Sequence, residues 1–290
     1  MILVTGATGS VGLELTKRLF DWGLPVRAFV RSRSRARTIA FPGIELVEGD
    51  FARPDTFPRA LDGVDQLFLL MPSSAEVEQR QRNFVDAAKH ARVKHIVKLS
   101  QFGADAAAAG RFQRYHAGVE HYIVKSRIPY TFLRPNLFMQ SLLNFRSTIA
   151  SQGTFYAPAG NARVSVIDVR DIASVAACAL TRSEHENQSY ELTGPEALTH
   201  AEMASEFSEA FGKTVKYVEI PPENMLQTLL DLGMPEWQAA GVIEDYDHYR
   251  RGEAADVTSA VRDITHSPPT RFSQFAADYA RQFLGKAAGA

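Results

Sequence analysis

The residues whose spacing can do chemistry begin near the N-terminus. Val4-Thr5-Gly6-Ala7-Thr8-Gly9-Ser10-Val11-Gly12 carries glycines in the pattern G-x-x-G-x-x-G. At a strand-to-helix junction the first glycine permits a tight turn. The second lets backbone approach a pyrophosphate, and the third lets helix pack on strand. The helix that follows offers unpartnered N–H groups to phosphate oxygens. That chemistry is dinucleotide binding. Residues 26–30 then run into Arg31-Ser32-Arg33-Ser34-Arg35, with no Asp or Glu. An acidic residue at this place selects NAD and an arginine selects NADP. Arg31 can pair with a 2′-phosphate and Ser32 can hydrogen-bond it, so NADP is expected over NAD. Arg33, Arg35 and Arg37 read equally as a solvated basic helix start, and whether this stretch binds only the cofactor stays open.

Other candidates carry less. Phe138, Met139 and Phe145 line either an aromatic substrate pocket or a helix packing face. Trp237, with Tyr246 and Tyr249, is placed to close such a pocket. His116 and His121 lie five residues apart, about 140° around a helix, and cannot share a metal. No other His, Cys or carboxylate cluster has ligand spacing, so no metal is expected. Cys178 sits among apolar residues and reads as core. Ser100 lacks a G-x-S-x-G setting, which disfavours a hydrolase.

The elements that must position these residues alternate. Strands are expected at 2–4, 26–30, 44–47, 66–70, 96–99 and 130–133, and helices at 11–22, 76–91 and 119–125. Continuous apolar strands alternating with helices predict a parallel sheet covered on both faces. The fold class is α/β, a Rossmann-like doubly wound parallel sheet with a smaller mixed C-terminal substrate lobe. The division expected is 1–150 for the dinucleotide-binding domain and 151–290 for the lobe, interleaved with the first. Beyond residue 135 the pattern predicts a helix over 136–149, a loop region around 152–158 and a strand over 164–169. A helix over 171–180 is expected with Asp171 as its N-cap. Thr199-His200-Ala201-Glu202 predicts a capping box opening a helix to Phe211, and a strand is expected at 215–220. Residues 103–110 read as a mobile loop near the nicotinamide.

The chain has 290 residues, and 45% of them are hydrophobic, enough for a large core. Formal net charge is −1, and the basic stretch has no interleaved aromatics, which argues against nucleic acid. With one cysteine an internal disulfide is impossible, so a reducing compartment, the cytoplasm, is expected. The apolar start at residues 1–4 is too short for a signal peptide. No apolar run approaches the roughly 18 residues of a membrane span.

On these residues the chain resembles the NmrA-like group of atypical short-chain dehydrogenases, and within it the NAD(P)H:quinone oxidoreductase and triphenylmethane-reductase type. The resemblance rests on residues 5–12, Arg31, Glu48-Gly49-Asp50-Phe51 and Lys98-Leu99-Ser100-Gln101. It continues through Ile128-Pro129-Tyr130-Thr131-Phe132-Leu133-Arg134-Pro135-Asn136, residues 166–173 and residues 190–195, and weakens past about Pro222. It implies that Gly6, Thr8, Gly9, Ser10 and Val11 cradle the pyrophosphate and that Arg31 holds the 2′-phosphate. It also implies that Asp50 and Phe51 flank the adenine, and that Leu70, Met71 and Pro72 line the ribose side. Ser100 and Gln101 would approach the nicotinamide, and Pro135, Asn136 and Leu137 would cover it.

One departure matters. The Tyr-x-x-x-Lys pair usual in short-chain dehydrogenases is missing, and Tyr122 and Lys125 stand three apart instead of four. Alignment from residues 128–131 puts His116 where isoflavone-reductase-like relatives carry a catalytic lysine. His116 is therefore the expected site residue, either hydrogen-bonding the ribose or nicotinamide amide or donating a proton to the reduced substrate, with a helix-surface histidine the plain alternative and Tyr115 the weaker candidate. A quinone asks little of a general acid, because its hydroquinone anion is stabilised and water can protonate it. The expectation is an NADPH-dependent reductase of a quinone or similar planar acceptor. The alternative is a non-catalytic NADP-binding redox sensor of the NmrA type; a sugar-nucleotide epimerase is disfavoured by the missing pair. A small-molecule acceptor is the expected partner, and a homodimer or a regulatory protein partner is left open.

Overall fold

The computed structural model describes residues 1–39 and 41–285, the side chains of Arg35 and Arg37 excepted. In chain order the strands and α-helices begin with β1 Ile2–Val4, α1 Ser10–Asp21, β2 Val26–Val30, β3 Glu45–Glu48 and α2 Phe57–Leu61. Then come β4 Gln66–Leu69, α3 Val77–His90, β5 His95–Leu99, α4 Arg111–Ser126 and β6 Tyr130–Pro135. α5 Arg146–Gln152, β7 Thr154–Ala157, α6 Val169–Thr181 and β8 Gln188–Leu192 follow. The chain continues with α7 His200–Phe211, β9 Lys216–Glu219, α8 Pro222–Asp231, α9 Glu236–Arg250, α10 Ala260–Thr265 and α11 Phe272–Leu284.

These residues fall into two compact units. The first takes its described residues from 1–108, 112–135 and 169–191; the second takes them from 109–111, 136–168 and 192 onward.

The first unit is built on a seven-stranded sheet in the order β3-β2-β1-β4-β5-β6-β8. Strands β1 to β6 pair in parallel, with Ile2 opposite Val26 on one side and Gln66 on the other. The order over β3 to β6 is the doubly wound one, and strand order reverses beside β1. Alternation along the strands divides the core. Leu3, Leu67, Leu69 and Ile96 pack with Phe57, Phe84, Val85, Val119 and Ile123 from α2, α3 and α4. The intervening side chains point the other way, and there α6 packs on β4, β5 and β6 and on α1.

In the second unit β7 pairs in parallel with β9. Its core gathers Phe155, Phe207, Phe272, Phe275 and Phe283, all fully buried. The expected capping box is present: the Glu202 N–H donates to Thr199 Oγ1 at 3.1 Å, and the Thr199 N–H to Glu202 Oε2 at 2.8 Å.

Four local expectations need correction, the first being the loop region around 152–158, through which β7 runs. Asp171 is not an N-cap; α6 starts at Val169 and Asp171 lies in its first turn, where a carboxylate still complements the dipole. Residues 164–169 form no strand. Their N–H groups go one by one to different partners, Val164 to the Leu198 carbonyl, Ser165 to Ala254 and Ile167 to Leu137. Residues 136–149 are not one helix: a 3₁₀ turn over Met139–Phe145 precedes α5, and Gly153 ends α5 at φ 63°.

Candidate functional site

The glycine loop leaves β1 and enters α1. Gly6 has φ 62°, a left-handed value that favours glycine, and a Cβ there would lie 2.7 Å from Leu70 Cγ. At Gly12 a Cβ would lie 2.2 Å from the Gly6 carbonyl oxygen, so the last glycine lets α1 close on its own loop. At Gly9 the nearest atom to a Cβ is that same oxygen at 3.3 Å. Gly9 is the N-cap of α1, contributes no side-chain cap, and the first turn holds no acidic residue. The first N–H groups of α1 are thus left uncapped by any side chain, as an anion site requires.

A residue that sequence reasoning gave no task sets this loop beside β4. The Thr5 hydroxyl lies 3.0 Å from the Phe68 carbonyl oxygen and 2.9 Å from that of Leu70, and accepts the Leu70 N–H at 2.8 Å. Leu70, Met71 and Pro72 follow directly and are at least partly exposed.

After β2, Arg31 is exposed and makes no hydrogen bond or ion pair among the described residues. Ser32 Oγ lies 2.8 Å from Ser34 Oγ. Glu48, the nearby acid, accepts the Arg33 N–H at 2.8 Å. A free guanidinium beside hydroxyls suits a phosphate monoester. The side chains of Arg35 and Arg37 lie outside the described residues. Asp50 Oδ1 accepts the Ala52 N–H at 2.8 Å. Phe51 is half-buried, with its ring against those of Phe29, Phe57 and Phe84. An open helix end, a Cβ-free approach at Gly9 and an unpaired Arg31 together fit NADP.

At the carboxyl end of β5 the geometry is denser. Lys98 is 0% exposed; its Nζ donates to the Leu99 carbonyl at 3.0 Å and lies 2.8 Å from His116 Nδ1. Burial brings Lys98 down to about 7; Glu120 opposes that shift and Arg134 adds to it. Enclosure holds His116 well below the usual imidazole range, and the Lys98 charge pushes it further down. Ser100 Oγ donates to Glu120 Oε1 at 2.5 Å. Arg134 donates to both Glu120 oxygens and, at 3.2 Å, to Glu191 Oε1. The Glu120 hydrogen bonds hold Arg134 above its ordinary range. Burial raises Glu191, with Arg134 opposing.

The Tyr115 hydroxyl lies 2.9 Å from Ser73 Oγ, and its ring lies 4.1 Å from that of His116. Gln101 is half-buried beside Ser100. Tyr122, the imitation of the missing tyrosine, donates to Asp86 at the surface. Lys98, Glu120 and Arg134 were passed over. The available signal was a lysine inside an otherwise apolar strand of a parallel sheet, since lysine is almost never fully buried unless paired.

Pro135 closes β6 within the first unit, and Asn136 and Leu137 belong to the second. The Asn136 amide is used internally: Nδ2 donates to Ser165 Oγ at 2.8 Å and to the Ala254 carbonyl at 2.9 Å, and Oδ1 accepts the Leu137 N–H. Met139 is fully buried in the second unit's core, which is the packing reading of that segment. Phe145 is half-buried against Phe155, and Phe138 is half-buried. The Trp237 ring lies 5.6 Å from the Arg111 guanidinium, which also donates to the Trp237 carbonyl at 3.0 Å. Among the described residues no three His, Cys, Asp or Glu side chains gather to hold a metal, and no helix is long and apolar enough to cross a membrane.

The chain is 38% identical to an NAD(P)H azoreductase of Xenophilus azovorans over 283 residues, 98% of this chain and 99% of the relative. Its structure is similar to that of an NADPH-dependent quinone oxidoreductase of Escherichia coli complexed with NADPH, with TM-score 0.86 and 27% identity, covering 96% of this chain and 99% of the other. It is also similar to the triphenylmethane reductase of Citrobacter sp. complexed with NADP(H), with TM-score 0.85 and 29% identity, covering 97% and 100%. The model of the NmrA-like family matches residues 1–264, and the chain belongs to that family.

Proposed function

We propose that this chain is an NADPH-dependent reductase that passes a hydride to a quinone or a similar planar, conjugated acceptor. Arg31 beyond β2, exposed and without a hydrogen bond or ion pair among the described residues, carries the cofactor choice. The three relatives supply the acceptor class, since a quinone, an azo compound and a triphenylmethane dye are all conjugated hydride acceptors. The chain is an NAD(P)H-dependent oxidoreductase.

When bound, NADPH supplies the hydride. Gly6, Thr8, Gly9, Ser10 and Val11 hold its pyrophosphate with backbone N–H groups at the start of α1. Arg31 and Ser32 take the 2′-phosphate. Asp50 and Phe51 flank the adenine, and Leu70, Met71 and Pro72 the ribose. Ser100, Gln101 and Pro135 border the nicotinamide. His116 donates a hydrogen bond to the acceptor oxygen as charge develops there. Positioning does most of the work, because the reduced acceptor delocalises its charge.

The test is NADPH consumption across a panel of quinones, azo dyes and triphenylmethane dyes. Turnover with at least one class is expected. Arg31→Glu should raise the NADPH KM about tenfold or more, by loss of a charge-assisted contact, and leave the NADH KM nearly unchanged. A protein that binds NADPH and turns over none of the panel is instead an NADP-binding sensor.

A further inference from the structure

We propose that Lys98 fixes His116 as the Nε2–H tautomer and, through it, delivers the proton that the reduced acceptor takes up. The delivery rests on the reductase reading above; the tautomer assignment does not.

The argument starts from hydrogen-bond direction. An ammonium has donors only, so His116 Nδ1, 2.8 Å from Lys98 Nζ, must present its lone pair. The imidazole proton is then on Nε2, the nitrogen with no partner among the described residues. His116 is half-buried, so that N–H reaches outward while Lys98 stays fully enclosed. Both residues lie at the carboxyl end of β5, where open parallel sheets bind ligands. Glu120 on α4 and Arg134 on β6 are the charged groups that act on Lys98, and Arg134 pairs in turn with Glu120 and with Glu191 on β8. Tyr115, on the same helix as His116, is its neutral titratable neighbour.

The step balances. Hydride transfer leaves negative charge on the acceptor oxygen. The His116 Nε2–H bond breaks as the new O–H bond forms. A Lys98 Nζ–H bond breaks as Nδ1–H forms, so the imidazole stays neutral and Lys98 becomes a neutral amine. After the product leaves, water protonates Nε2, and Nδ1 returns a proton to Lys98. A lysine near 7 gives up a proton far more easily than one in water, and its charge in turn suppresses the imidazolium, which keeps His116 a neutral donor. Lys98 touches no substrate and is a positioning residue.

The experiment has two arms. The first is two-bond ¹H–¹⁵N NMR of the histidine rings in ligand-free protein at pH 6, with His116 assigned by the signal lost in His116→Gln. The wild type should show Nε2–H, and Lys98→Met a mixture of tautomers. The second arm is kcat against pH with NADPH and 1,4-naphthoquinone. In the wild type kcat should fall as pH rises past about neutrality. In Lys98→Met that limb should vanish, with kcat at pH 6 lower by about 10- to 100-fold and the NADPH KM unchanged. An Nδ1–H wild type overturns the proposal, and so does a Lys98→Met protein that keeps the tautomer and the limb. If Lys98→Met does not fold, the wild-type spectrum decides alone. A wild type that reduces no acceptor defeats the reductase reading, while the spectrum still judges Lys98.

Discussion

A methyl group at Gly9 and one at Gly12 separate the two jobs of the glycine loop. At Gly12 the added carbon would sit 2.2 Å from the Gly6 carbonyl oxygen, inside any real contact, so α1 must lift from its loop. We expect Gly12→Ala to lose about 1–3 kcal/mol of stability, as overpacking does, and to bind NADPH poorly. At Gly9 the same carbon meets only one atom, at 3.3 Å, and the backbone at φ −81° and ψ 171° suits any residue. Gly9→Ala should therefore melt like the wild type. Its NADPH Kd should rise about tenfold, equivalent to about 1.4 kcal/mol, because the methyl stands where a phosphate approaches. Thermal melts and a fluorescence titration of NADPH read both variants. Equal melting temperatures for the two would contradict the assignment.

At the scale of elements the loop depends on how β1 and β4 end together. The Thr5 hydroxyl joins them through Phe68 and Leu70, and a Cβ at Gly6 would meet Leu70. Thr5→Val keeps the shape and removes the hydroxyl, leaving the Leu70 N–H without its acceptor. We expect a loss of about 1–3 kcal/mol in urea unfolding with weaker NADPH binding, and Thr5→Ser should restore most of both. A Thr5→Val protein as stable as the wild type would remove this clamp. The elements legible in the sequence were those with one consistent physical signal. β1 and β2 fall where expected because buried parallel strands are apolar runs between turn residues, β2 being interrupted at Arg27 alone. The capping box at Thr199 was legible because both halves of its hydrogen-bonding pair are encoded three residues apart. Residues 164–169 misled because burial alone imitates a strand: Val164 and Ile167 are fully buried, yet each N–H finds a different partner. α6 belongs with the first unit through its packing on α1, a contact between segments distant in sequence that no local pattern encodes. In the site, the loop and Arg31 were legible from type and spacing. Lys98 was not, because its meaning comes from His116 on another element.

At the scale of the whole molecule, each unit encloses a histidine that the fold keeps neutral. In the first unit His95 is 2% exposed and lies between Gln66 and Thr131; burial lowers it to about 4. In the second unit His200 is 1% exposed among the rings of Phe155, Tyr217 and Tyr246, with no hydrogen bond to either ring nitrogen, and burial again lowers it to about 4. Both folded values lie below the ordinary 6.5, so the unfolded chain binds these protons more readily. Their contribution to stability is present above about 6.5 and is lost as pH falls toward about 4, amounting to about 3 kcal/mol for each histidine at most. Each unit holds one tryptophan, Trp22 in the first and Trp237 in the second. In a Trp22→Phe background, His200→Phe should flatten the fall of the Trp237-reported urea midpoint between pH 6.5 and 4. In a Trp237→Phe background, His95→Gln should do the same for Trp22. Buried histidines with shifts of this size cannot be titrated without cost, so a midpoint falling equally in variant and parent would place the acid-sensitive groups elsewhere. Lys98 works in the opposite range: its depressed value makes the first unit gain stability as pH rises from about 7 to about 10.5. The same Trp22 signal should therefore show a rise above neutral pH that Lys98→Met abolishes. A charged lysine that weakens the fold near neutral pH is the cost expected of a group kept for proton delivery.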